Sequence, residues 1–117
     1  CIRDSGCTAT VRLTEGYPVT VNHAGLTTVV DAVARTVLGE NQVFEMPSPV
    51  MGAEDFSYLG REVPAVMAFL GVCPPENPSP LEAPACHSNL MVLHEDTMAT
   101  GVALHAAVAS TLSLGWT

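Results

Sequence analysis

Polar and apolar side chains alternate from Thr8 through Ala9, Thr10, Val11 and Arg12 to Leu13, the period of two that sends every second residue to the same face of a strand. This predicts a half-buried strand, broken at Glu15-Gly16-Tyr17-Pro18, where proline lacks the amide proton a ladder needs. Val19, Thr20 and Val21 resume an extended path. From Leu26 the pattern changes: Leu26, Val29, Val30, Val33, Ala34 and Val37 recur at three and four residues, which predicts a helix with one apolar face. Asn22 is placed to cap its start and Gly39 to end it. Residues 43–46 predict a short strand running into Pro47 and Pro49, and residues 55–59 a brief helical turn. Residues 63–72 are almost continuously apolar, as in a central strand covered on both faces, with a buried helix as the competing reading. Five prolines between residues 73 and 84 impose a loop of the kind that often forms a binding surface. A final helix is predicted from about Glu95 to Leu112. Its stripe is Met98, Val102, His105, Ala106, Ala109 and Leu112, and its thin side is Gly101, Ala103, Ala106 and Ala107.

The 117 residues suffice for one modest core, and 48% hydrophobic with only 14% charged residues is globular rather than disordered composition. A formal charge of −8 disfavours phosphate backbones and anionic lipid surfaces, so nucleic acid and membrane are not expected partners. No apolar run approaches the roughly 20 residues that span a bilayer. Cys1, Cys7, Cys73 and Cys86 form no C-x-x-C pair, so the expectation is reduced, structural thiols in a cytoplasmic protein. A disulfide between Cys73 and Cys86 is open to geometry but not implied by the spacing.

Two places carry candidate chemistry. His87 follows Pro84-Ala85-Cys86 where the proline loop returns to the body, and a neutral imidazole there suits a metal; the plainer reading is a surface or hydrogen-bonded histidine. Cys86 is a poor second ligand, because neighbours in extended chain point to opposite sides. In Gly52-Ala53-Glu54-Asp55 the small residues let a ligand approach the backbone, and the carboxylates either line a pocket or cap the turn that follows. For His105 the plain reading is a core histidine with one hydrogen bond, for His23 an exposed turn, and for His94 a position just outside the last helix.

Three ordered motifs go further. Residues 15–22 look like an R-x-x-x-Y-P-x-x-x-N region, Met51-Gly52-Ala53-Glu54-Asp55-Phe56-Ser57 like a G-(S/A)-E-D-F loop, and His87-Ser88 with Glu95-Asp96 and Gly101 like an H-(S/H)-P-x-F-x-x-(D/N)-E ending. Together they resemble the C-terminal part of the M20 metallopeptidases, in the amidohydrolase branch of hippurate hydrolases, N-acyl-amino-acid deacylases and auxin-conjugate hydrolases. Asn89 stands where that pattern has proline and Met91 where it has phenylalanine.

The resemblance implies an α/β fold: the C-terminal portion of a zinc-peptidase-like sheet flanked by helices, preceded by the last strand of a small α+β dimerisation domain. Residues 1–22 would end that dimerisation (lid) domain, and residues 23–117 would belong to the catalytic domain. His87 would be a metal ligand, with Gly52, Ala53, Glu54 and Asp55 at the substrate. The resemblance further implies two divalent ions per full-length subunit, zinc first with manganese or cobalt as alternatives, and a homodimer. Its substrate would be an N-acyl amino acid or small peptide, cleaved at the amide by metal-activated water. The H-x-C-G-H-D motif, the Glu-Glu pair that includes the general base and a further histidine are not found here. They are expected before Cys1, and the chain alone is expected to be inert. The alternative is a binding or assembly module that kept the fold without the remaining ligands.

Overall fold

In the computed structural model, residues 3–77, 79–80 and 82–115 are described. The predicted helix forms as α1 (Ala24–Leu38). Leu26 and Ala34 are buried, Val29, Val30 and Val33 half-buried, and Val37 exposed, so the three-and-four stripe is the packed face for most of its length. The cap is His23 rather than Asn22: its Nδ1 accepts from the Leu26 amide at 3.2 Å. His23 is exposed, as expected of a turn residue, and in addition caps the helix. Asn22 is occupied elsewhere, donating from Nδ2 to the Met67 carbonyl at 2.9 Å and accepting the Met67 amide on Oδ1 at 2.8 Å. Gly39 ends α1 as predicted, with φ +94°, a conformation an L side chain rarely adopts, and its amide on the Arg35 carbonyl.

The brief turn extends to α2 (Phe56–Glu62), and the last helix forms as α3 (Thr97–Ser113). The start of α3 is secured by Thr97, whose hydroxyl donates to the His94 carbonyl at 2.7 Å. Its packed face differs from the predicted stripe. Thr100, Gly101, Leu104, Ala107, Val108 and Leu112 are half-buried, whereas Met98, Val102, His105, Ala106 and Ala109 are exposed. The helix is apolar on both sides, so periodicity alone did not decide which side meets α1. His105 is thus not a core histidine. α1 and α3 pack on each other, and Leu70 reaches α3 so closely that a Cβ on Gly101 would lie 3.2 Å from its Cδ2.

The expected α/β sheet is not there. Among the described residues no strand forms: residues 8–13, 19–21, 43–46 and 63–72 run extended without a ladder, and the regular structure is helical. The period-two pattern specifies an extended backbone, but a ladder requires a second strand alongside in register. Residues 63–72 instead make isolated bonds. The Ala65 carbonyl accepts from the His23 amide, Met67 is taken by the Asn22 side chain, and the Val72 carbonyl accepts from the His94 amide at 2.9 Å. The predicted last strand of a dimerisation domain shares this fate, with Val11 80% and Leu13 91% exposed.

The consequence is an open molecule. Its radius of gyration is 19.5 Å, where a compact chain of this length has about 13 Å. Its accessible surface is 9961 Å², where a compact monomer of 12.2 kDa has about 6000 Å². Leu26, Ala34 and Ser57 are the buried residues among those described. Cys7, Cys73 and Cys86 are free thiols; Cys7 and Cys86 are exposed, so neither is the packed, structural cysteine expected, and Cys1, like Pro78 of the proline loop, lies outside the described residues.

Candidate functional site

Gly52, Ala53, Glu54 and Asp55 form an exposed stretch leading directly into α2. The turn is built on Glu54. Its carbonyl accepts from the Ser57 hydroxyl at 2.6 Å and from the Ser57 amide at 3.3 Å, while its Oε1 accepts from the Phe56 amide at 3.3 Å. The Asp55 carbonyl accepts from the Tyr58 amide, but the Asp55 side chain makes no cap. Of the two readings for this pair, Glu54 thus serves the helix start, and the Asp55 carboxylate is left facing solvent.

Sequence reasoning assigned Ser57 no role, yet at 2% exposure it is the most buried polar residue described. Its hydroxyl closes the Glu54 turn, and a serine three residues after a loop acidic residue is the signal that could have found it. Tyr17 meets Tyr58 of α2 edge to face, with centroids 5.9 Å apart and planes at 81°. A Cβ on Gly52 would meet the Val50 Cγ1 at 3.8 Å, an ordinary contact, so packing alone does not require a glycine here.

His87 sits in a different turn, where the Ser88 amide donates to the Ala85 carbonyl at 3.0 Å and the Leu90 amide to the Ser88 hydroxyl at 3.2 Å. Its φ is +74°, and it is the one non-glycine residue among those described with a positive φ. A histidine held left-handed is uncommon, and such backbone strain concentrates at functional sites. The imidazole is exposed. No group of three His, Cys, Asp or Glu side chains able to hold a metal ion forms among the described residues.

A cleft of about 770 Å³ opens under the proline loop, between Val72, Cys73, Pro74, Pro84, Leu90 and Met91. Neither His87 nor the 52–55 stretch lines it. Arg35 donates to both Asp31 carboxylate oxygens, at 2.8 and 3.1 Å, and to Glu40 at 3.0 Å. Its hydrogen bonds hold the Asp31 carboxyl below its usual range against a smaller desolvation effect.

The chain has known relatives. Residues 6–111 match Peptidase family M20/M25/M40, and the chain belongs to that family. It is 36% identical over 107 residues to IAA-amino acid hydrolase ILR1-like 2 of Arabidopsis thaliana, covering 88% of this chain and 23% of the relative. It is 34% identical over 108 residues to ILR1-like 6 of the same plant, covering 89% and 22%. Thermostable carboxypeptidase 2 of Saccharolobus solfataricus is 34% identical over 109 residues, covering 89% and 25%. The chain spans about a quarter of the length of these relatives. No solved structure matches it. Hydrolases of this family are therefore its kin, and no helix described is long and apolar enough to cross a membrane.

Proposed function

We propose that these 117 residues are one part of an amidohydrolase that cleaves the amide bond of N-acyl amino acids or small peptides, acting in the cytoplasm as a homodimer. Residues 1–22 end its lid domain, and residues 23–117 belong to its catalytic domain. The observation that carries the reading is the family match over residues 6–111, inside which the G-A-E-D-F loop and His87 keep their order. The names of the relatives, an IAA-amino acid hydrolase and a carboxypeptidase, both describe hydrolysis next to an amino acid.

The residues present do not by themselves fit a divalent ion. A stable site needs about three or four donors, and no group of three such side chains is assembled among the described residues. His87 accordingly supplies a single donor toward zinc, or manganese or cobalt, and the other ligands and the general base belong to polypeptide beyond these residues. What this chain contributes of its own is the left-handed turn that presents His87 and the exposed 52–55 stretch, which would meet the substrate.

The test compares two preparations. The 117-residue chain should neither retain stoichiometric zinc in equilibrium dialysis nor hydrolyse an N-acyl amino acid. The longest native polypeptide carrying this sequence should do both, and His87→Ala should lower its activity at least about 100-fold while removing part of its bound metal. Full activity in H87A would overturn the ligand role. A folded, metal-free, inactive long form that binds another protein would instead favour the module that kept the fold.

A further inference from the structure

We infer that Asn22 and Tyr17 form a two-point latch that positions the 52–55 stretch from behind, and that Asn22 is a positioning residue for the site proposed above, a role that rests on that reading. A primary amide sets an NH2 donor group beside a C=O acceptor, in the spacing of a peptide group. Asn22 uses both on one residue, Met67, and so supplies by side chain the reciprocal pair of bonds that a neighbouring strand would otherwise supply. The next residue adds a third bond, from the His23 amide to the Ala65 carbonyl at 2.9 Å. Five residues earlier, Tyr17 sets its ring against Tyr58, three residues beyond Asp55.

The segment that runs from the candidate substrate stretch through α2 to Met67 is thus gripped by residues 17–23 at Tyr58, within α2, and at its far end, Ala65 and Met67. Neither grip is a core contact: Asn22 and Tyr17 are exposed, and the residues they hold are exposed or half-buried. Their consequence is registration more than stability. Displacing the incoming segment pulls on α2, and α2 is continuous with the Glu54 turn that shapes the substrate stretch. Residues 63–72 form no ladder among the described residues, so this side-chain pair, with the His23–Ala65 and His94–Val72 bonds, is what fixes their course.

The test uses the longest native polypeptide carrying this sequence, with Asn22→Leu, which keeps the side chain's size and removes both its donor and its acceptor. Tyr17→Leu removes the ring contact, and Tyr17→Phe keeps it. Amide hydrogen exchange gives a readout independent of catalysis. N22L should speed exchange of the Met67 amide about ten-fold, the factor that about one net hydrogen bond corresponds to. Y17L should speed exchange at Phe56, Ser57 and Tyr58, and Y17F should leave it near wild type. Unchanged exchange in N22L and Y17L, with α1 still protected, overturns the latch whether or not the protein is a hydrolase. With activity present, N22L should raise KM for an N-acyl amino acid several-fold more than it lowers kcat. Loosened exchange with KM unmoved overturns the positioning role. Absence of hydrolysis in the wild type counts against the proposed function, while the exchange data still decide the latch. Should N22L fail to fold, Asn22→Ser, too short to reach both groups of Met67, removes the paired hydrogen bonds, and the same exchange pattern is expected.

Discussion

α1 and α3 are helices of nearly equal length that pack against each other, yet they are built differently. α1 carries one apolar stripe, an imidazole cap at its start, a left-handed glycine at its end and an ion-paired arginine on its outer side. α3 has no side-chain cap from Asp96 and is apolar all round, with Met98 60% and Val102 69% exposed opposite its packed face. A helix that defines a single face finds its partner from its own sequence. One that is hydrophobic on every side is suited to being covered on every side, and here half of it is bare.

Substitutions can break this contrast. The largest expected effect is at Leu26, whose side chain is 8% exposed. Leu26→Ala should lower stability by about 2 kcal/mol, read as a fall of roughly 10 °C in the midpoint of the helical circular-dichroism signal. Val102→Ser on the bare side of α3 should stay within about 0.5 kcal/mol in the 117-residue chain. The same change should cost more than 1 kcal/mol in a longer polypeptide that covers this face. An equal effect in both preparations would show that α3 is meant to be bare.

The ends and the contact between the helices come next. Gly39→Ala forces an alanine to φ +94° and should cost about 1 kcal/mol. Gly101→Ala should have the opposite sign. Removing a mid-helix glycine gains about 0.8 kcal/mol, and the new methyl meets Leu70 Cδ2 at 3.2 Å, the movable end of a side chain that is 42% exposed. A net gain of about 0.5 kcal/mol is expected by thermal melting, and a loss would mean that Leu70 is held more firmly than its exposure implies.

What was legible follows the same division. α1 could be read to its last residue because its apolar spacing and its terminal glycine are both local signals, and Asn22 was misread as the cap only because its partner, Met67, is 45 residues away. The α3 stripe was chosen on the wrong side because small and apolar residues occupy both sides. The strands were legible as extended chain and not as a sheet, since a ladder is a property of two segments and the alternation in residues 8–13 describes one. At the candidate site, the motif pointed to His87 and the 52–55 stretch. The left-handed φ of His87 and the burial of Ser57 needed coordinates, because a turn's handedness and a hydroxyl's partner depend on how the flanking chain closes.

The smallest effect sharpens the comparison through pH, because α1 carries an ion-pair array and α3 does not. Hydrogen bonds from Arg35 lower the Asp31 pKa, outweighing desolvation, and Arg35 is correspondingly raised. A carboxylate whose folded pKa is depressed adds stability above its unfolded pKa of about 3.9, and that addition fades as pH falls through the lower folded value. Asp31→Asn should therefore lower the melting midpoint slightly at pH 7, and the two curves should converge as the pH falls through the depressed folded pKa, where the aspartic acid becomes as neutral as the asparagine. Since the Arg35 and Asp31 side chains are partly open to water, added salt should shrink the difference at pH 7 as well. A difference that survives in acid would mean that Asp31 acts through α1 itself, for instance through helix propensity, rather than through its charge on Arg35.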